Sequence, residues 1–449
     1  LRKPAIAMTD SNKASPGRAP FPEHEWRAAI LSELHARPFL PLEAPRRIYH
    51  FAFATNHDEA LADRQALERL AQARDVPPPP AGSKFHYFRF GPWRLRWEQH
   101  TEFTTYTWST GKDAERPFHH ADPVMSGEIF FEPPGRLIVA THIAVVDRTQ
   151  QLEALADLFN SQSLCVIRAD KNAANVLTDF APDAHGYTRF VIRLIDARPR
   201  EAGRLAQRIM EIETYRTMAL LGLPLARDVS PELRAMEQEL TSITQALRGA
   251  PESNDSHELL RRLSALLATS EALSNRTAFR FGAGRAYHAL VKNRLDLLNE
   301  TKEGVYSTLS NFLSARFDPA IETCNAVEAR QLRLSNDVER ATNMMRTGVT
   351  LEMERQNSAL LDDMNRRNRL QMRLNRMVQG ISLAGLAYYL IGLFSYLARG
   401  MKALGVLPKD VSAETASAFA LPIALLCAWA FMARVRTLSR RAMEEEQVD

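Results

Sequence analysis

Hydrophobic and polar positions divide the chain into three regimes. The first, up to about residue 197, carries short apolar runs that alternate with polar residues at the two-residue period of β-strands. Residues 47–53 (RIYHFAF) predict one strand, and residues 84–90 and 93–108 predict two more joined by a turn at Gly91-Pro92. Residues 136–146, 164–167 and 187–195 predict a further three. Helices are predicted over 22–34, over 58–74, which the four prolines of 77–80 close, and over 150–160. Strands interrupted by helices predict an α+β or α/β N-terminal domain over 22–197, with parallel and antiparallel pairing both open. Residues 1–21 are small and polar and predict a disordered N-terminus without the apolar core of a secretory signal.

From Pro199 the period changes to three and four residues, and helices take over. A helix over 200–221 is predicted to stop at Gly222-Leu223-Pro224. Ser230-Pro231-Glu232 then has the form of an N-cap, a first-turn proline and an acid, opening a helix along Leu233, Met236, Leu240, Ile243 and Leu247. A third helix follows Leu259, Leu263 and Leu266, and a fourth covers 287–299. These apolar stripes need partners, so residues 198–318 predict a helical hairpin or bundle.

The third regime has no proline between Pro319 and Pro408. Residues 319–377 predict a long stalk helix with a seam at Leu334, Val338, Ala341 and Met345. It leads into residues 378–397, twenty positions without a charge, and residues 416–433 form a second uncharged run of eighteen. Each is long enough, at about 1.5 Å per residue, to cross a hydrocarbon core of roughly 30 Å. The expectation is a two-helix transmembrane hairpin with a short external loop over 398–415 and a charged tail over 434–449. Arginines bracket the hairpin: Arg366, Arg367, Arg369, Arg373 and Arg376 before it, and Arg434, Arg436, Arg440 and Arg441 after it. The loop carries only Arg399, Lys402 and Lys409, which predicts that both termini lie in the cytoplasm. Ser382, Gly385, Tyr389, Gly392 and Tyr396 recur on one face of the first span and predict a packing seam or a pore-lining face.

Composition changes this picture little. The chain of 449 residues has a formal charge of +4, too small to argue for nucleic acid as a partner. Three distant cysteines suit a reduced compartment rather than a disulfide framework. No GxxxxGK[ST] and no nucleophile elbow occurs, which removes the usual signatures of nucleotide-driven and serine-hydrolase chemistry.

Two constellations could carry chemistry. On a strand, Glu98, His100 and Glu102 would share a face with neighbours about 6.6 Å apart, a set suited to a divalent metal or to acid-base work. Its bland alternative is a polar outer face. Glu33, His35 and Arg37, beside the proline-fixed turn at Pro38, could line a loop site, or Arg37 could simply pair with Glu33. His119-His120 has no chelating spacing, and Gly282-Ala283-Gly284 is a bare glycine pair.

The segments ELHARP (33–38), HTEF (100–103), TYRTMALL (214–221) and GIS through YY (380–389) resemble an uncharacterised bacterial family of membrane-anchored proteins, whose domain of unknown function spans nearly the whole polypeptide. That resemblance implies an inner-membrane location and no established activity. A looser similarity of layout is to the CorA-type divalent-cation channels, with a cytoplasmic α/β domain, a long stalk helix and two C-terminal spans. Their Gly-Met-Asn signature is matched here only by Gly400-Met401-Lys402, and a lysine at a cation entrance is unfavourable. The leading expectation is an oligomeric, membrane-anchored scaffold or sensor with the bilayer and its own copies as partners. A CorA-like cation-conducting homo-oligomer and a metal-dependent enzyme are the alternatives.

Overall fold

The computed structural model describes residues 40–248 and 253–404, with isolated positions between 21 and 30 and between 418 and 434. It divides into two compact units, Leu1–Thr342 and Asn343–Asp449.

The first unit is built on one nine-stranded sheet. Its strands are β1 (Arg46–Ala54), β2 (Phe85–Phe90), β3 (Trp93–Gln99), β4 (Phe103–Thr110), β5 (Arg136–Val146), β6 (Cys165–Ala169), β7 (Ala174–Thr178), β8 (Thr188–Leu194) and β9 (Thr301–Lys302). They lie in the order β2-β3-β4-β1-β5-β8-β7-β6-β9. Every pairing is antiparallel except β5 with β8. The sheet is therefore mixed, and the parallel pair is bridged by α2 (Leu152–Ala156) and the β6–β7 hairpin.

Alternation sorts the strand residues onto two covered faces. One face packs Ile48, Ile143, Val145, Phe190 and Ile192 against Ala202, Leu205, Ile209 and Ile212 of α3 (Pro199–Leu220). Burying each large aliphatic side chain contributes about 1.5–3 kcal/mol. The other face carries an aromatic layer, Tyr49, Phe51, Phe53, Trp97, Tyr106 and Trp108, against Leu67 and Ala71 of α1 (His57–Ala73). A reciprocal capping box starts α1: Asn56 Oδ1 accepts from the Glu59 N–H at 2.9 Å, and Glu59 Oε2 accepts from the Asn56 N–H at 2.8 Å.

The helical region is not separate from the sheet. The same core cluster includes Val291 and Leu295 of α5 (Ser253–Leu297), Leu298 just past its end, and Leu309 and Leu313 of α6 (Leu309–Arg316), and β9 returns the chain to the sheet edge. The domain boundary expected at residue 197 thus runs through one hydrophobic core. Ser230-Pro231 does not open a helix either. Pro231 lies inside α4 (Gly222–Arg248), and the Ser230 hydroxyl donates back to the Ala226 carbonyl at 2.6 Å instead of capping. Gly282-Ala283-Gly284 is helical within α5, where a Cβ on Gly284 would stand 3.3 Å from the Ala219 carbonyl oxygen. Gly284 thus serves close helix packing.

α7 is a single helix, Asp318–Ala403. In the first unit it buries Ile321, Val327, Leu334 and Val338 and places Gln331 Oε1 3.1 Å from the Thr277 hydroxyl of α5. In the second unit every residue from Leu351 to Val378 is exposed. The apolar stretch expected at 378–397 lies within this helix, which continues past the expected end to Ala403. Among the described residues one helix, within Leu309–Ala403, is long and apolar enough to cross a membrane. Within the expected second span, 416–433, the described residues include helical positions between Leu421 and Phe431, which by themselves fall short of the ~20 residues a span requires. A two-helix transmembrane hairpin is therefore not supported. Of the loop expected at 398–415 and the tail expected at 434–449, residues 405–415 and 435–449 lie outside the described residues.

Candidate functional site

Glu98, His100 and Glu102 do not share a strand face. β3 ends at Gln99, and His100 to Glu102 form the turn into β4, with the His100 N–H donating to the Phe103 carbonyl at 2.8 Å. Glu98 accepts from Arg96 Nη2 at 2.8 Å, and both side chains are about nine-tenths buried. Glu102 accepts from Arg280 of α5, with the Tyr287 hydroxyl at 3.4 Å. The His100 ring stacks on Phe103 at 4.2 Å. Each carboxylate thus faces a guanidinium, which repels a cation. Among the described residues no group of three His, Cys, Asp or Glu side chains is arranged to hold a metal. The shared strand face expected for Glu98, His100 and Glu102, on which the metal alternative rested, is therefore not formed. Glu33, His35 and Arg37 lie outside the described residues.

Glu98 and His100 instead help line a cavity of about 30 Å³ between the sheet and α3, room for a water molecule. At its centre is His50 of β1, whose Nδ1 lies 2.8 Å from the Thr107 hydroxyl and Nε2 2.9 Å from that of Thr214. Burial, and then the charge of Arg96, push the His50 pKa down to about 3. Arg96 Nη1 donates to Gln207 at 3.2 Å, and Gln207 donates to Glu211 at 2.8 Å. This is a neutral histidine with both ring nitrogens hydrogen-bonded, in a polar layer where Arg96 Nε and Thr105 Oγ1 are buried without a partner among the described residues. It explains the TYRTMALL segment structurally, since Thr214 holds His50 and Tyr215 stacks on Tyr287 at 5.8 Å.

The roomier concavities open on the aromatic face. A pocket of about 840 Å³ is floored by Phe51, Phe53 and Ala140 and walled by Met125, Phe131 and Leu137. Its polar lining is sparse: Asp122, Ser126, His185 and Tyr187. Burial, and then a hydrogen bond to Asp122, raise the Tyr187 pKa, so the phenol stays protonated and donates to the carboxylate. Asp122 Oδ1 also accepts the Val124 and Met125 N–H groups at 2.8 and 3.0 Å, folding the turn that forms one wall. At the opposite wall a Cβ on Gly135 would stand 1.9 Å from the Ala54 carbonyl oxygen, a spacing only glycine allows. Beside this pocket lie a cleft of about 180 Å³ against α1 and a groove of about 450 Å³ at the β2–β3 turn.

Sequence reasoning missed this region because its walls come from residues 111–135, the long irregular connection between β4 and β5. The legible signal was the length of that connection and its apolar content, Phe118, Met125, Phe130 and Phe131.

In the second unit, Ser382, Gly385, Tyr389 and Tyr396 are exposed and Gly392 is half-buried, while Ala387 and Ala398 are buried. Within one chain the patterned face has no covering partner among the described residues.

Sheet, covering helices and the apolar end of α7 together define a mixed α+β protein with a candidate membrane segment. The family described as Protein of unknown function (DUF3422) matches residues 22–438, and the chain belongs to it. No curated protein and no solved structure matches the chain.

Proposed function

We propose that this chain is a membrane-anchored sensor whose first unit binds a small apolar ligand. The observation that carries this is the 840 Å³ pocket. Its volume, its aromatic and aliphatic lining and its few polar groups have the character of small-molecule sites. A scaffold needs no such pocket, which favours the sensor over the scaffold. The anchor is the uncharged stretch 378–397 of α7 in the inner membrane, and the five arginines between Arg366 and Arg376 that precede it support a cytoplasmic first unit. The chain self-associates as a homo-oligomer through α7, where Met353, Leu360, Met364 and Leu374 lie on one exposed side of the helix. Ser382, Gly385, Tyr389, Gly392 and Tyr396 continue this contact within the bilayer.

The pocket is tested with N-phenyl-1-naphthylamine, a neutral probe that brightens in apolar surroundings. Wild-type protein in neutral-lipid nanodiscs should raise its fluorescence above that of empty nanodiscs. Ala140→Trp, which fills the floor, should remove the increment while leaving the circular dichroism spectrum unchanged. An equal increment from wild type and variant would refute the ligand-binding reading.

A further inference from the structure

The three concavities of the aromatic face form a row with shared walls. Leu70 and Phe130 line both the groove and the cleft, and Phe131 lines both the cleft and the large pocket. Charge changes along the row. The groove presents Arg74, Arg89 and Lys112 against a single carboxylate, Glu128. That carboxylate is already shared, 3.7 Å from Arg47 and 4.0 Å from Lys112. Arg74 and Arg89 make no ion pair among the described residues. In the cleft, Arg69 and Glu132 neutralise each other at 3.3 Å. The large pocket contains no lysine or arginine.

Two further observations point to a ligand. Trp108 is 2 % exposed and lines the groove, and its indole N–H has no acceptor among the described residues. Apolar side chains also stand in solvent along the row: Met125 is 83 % exposed, Phe130 60 % and Leu137 55 %. Contiguous exposed apolar surface of this kind marks a place where something binds.

We infer that the row binds a single-chain anionic amphiphile, its phosphate or carboxylate head at Arg74, Arg89 and Lys112 and its alkyl chain over Phe130 and Phe131 into the Phe51/Phe53 pocket. This rests on the ligand-binding reading above and adds the ligand's chemistry. The cations neutralise the head, and burial of the tail contributes about 0.8 kcal/mol per methylene by the usual transfer constant.

The test titrates the full chain in phosphatidylcholine nanodiscs, subtracting empty nanodiscs, with dodecyl phosphate, dodecanol and inorganic phosphate, and follows tryptophan fluorescence and heat. Dodecyl phosphate should bind about tenfold or more tighter than dodecanol, since charge-assisted hydrogen bonds are made only by the former. The triple variant Arg74→Gln/Arg89→Gln/Lys112→Gln should reduce dodecyl phosphate to the dodecanol level and leave dodecanol unchanged. Ala140→Trp should weaken both. Equal affinity of wild type for dodecyl phosphate and dodecanol overturns the inference while leaving the apolar pocket standing. Failure of both to bind overturns the pocket as well. Inorganic phosphate binding as tightly as dodecyl phosphate also overturns it, because the tail then plays no part. Repeating the titration in nanodiscs that contain phosphatidic acid distinguishes the source of the amphiphile. Competition by the bilayer lipid assigns the head group to a membrane lipid, and undiminished dodecyl phosphate binding assigns it to a free amphiphile; either result is in favour.

Discussion

At the residue scale, two buried titratable groups on opposite faces of the sheet respond to pH with opposite sign. Asp63 of α1 accepts hydrogen bonds from the Trp97 indole N–H at 2.8 Å and from the Tyr106 hydroxyl. Burial outweighs these bonds and raises its pKa to about 6. A carboxyl raised above its unfolded value contributes stability that is fully present below the unfolded pKa and is lost as pH rises through about 6. The difference between wild type and Asp63→Asn isolates this group. Between pH 4 and pH 8 it should shift by about 2 kcal/mol in favour of the variant as pH rises. Urea unfolding at a series of pH values measures it, and a difference independent of pH would contradict the burial argument. His50 runs the other way. Its folded pKa lies at about 3, below the unfolded value, so its contribution is present at neutral pH and is lost as pH falls from about 6.5 towards 3. His50→Gln should therefore be less acid-labile than wild type relative to its own stability at pH 7. The same unfolding series reads this out, and parallel pH profiles would count against it.

Elements differ in how far local pattern could foresee them. β1, β5 and β8 were legible because apolar and aromatic residues alternate through them. The run 93–108 reads as one strand because the turn residues His100, Thr101 and Glu102 include no glycine, proline or asparagine, the residues that normally announce a reversal. The misplaced reversal is also what placed Glu98, His100 and Glu102 on one face. β7 was invisible for a related reason. Its ANVLT sequence is short and contains poor strand formers, and its hairpin depends on Asp170, Lys171 and Asn172 all adopting positive φ. α7 was readable at both levels, since a proline-free stretch permits a long helix and an uncharged end marks a candidate membrane segment. Its exposed side makes a testable claim: Leu360→Asn together with Leu374→Asn should lower the mass of the detergent-solubilised chain to that of a monomer by light scattering. A wild-type protein that is already monomeric would remove the basis for self-association through this helix.

For the molecule as a whole, the decisive structural fact is that the helices after Pro199 complete the sheet domain. α3 covers one face, Val291, Leu295 and Leu298 extend the same core, and β9 closes the sheet edge. Sequence pattern reports local period and not which elements share a core, so the change of regime at residue 197 looked like a boundary. The break between compact units falls instead between Thr342 and Asn343. Residues up to Thr342 therefore contain the whole sheet, both of its covering layers and the row of concavities on the aromatic face. Truncation after Thr342 should yield a soluble, cooperatively unfolding protein that still brightens N-phenyl-1-naphthylamine, with the Ala140→Trp version silent. Truncation at residue 197, by contrast, strips α3 from Ile48, Ile143 and Ile192 and leaves one face of the sheet exposed, so that product should aggregate. Size-exclusion chromatography and thermal circular dichroism of the two truncations decide the matter. A folded product ending at 197 or an unfolded one ending at 342 would each show that the core is partitioned differently along the chain.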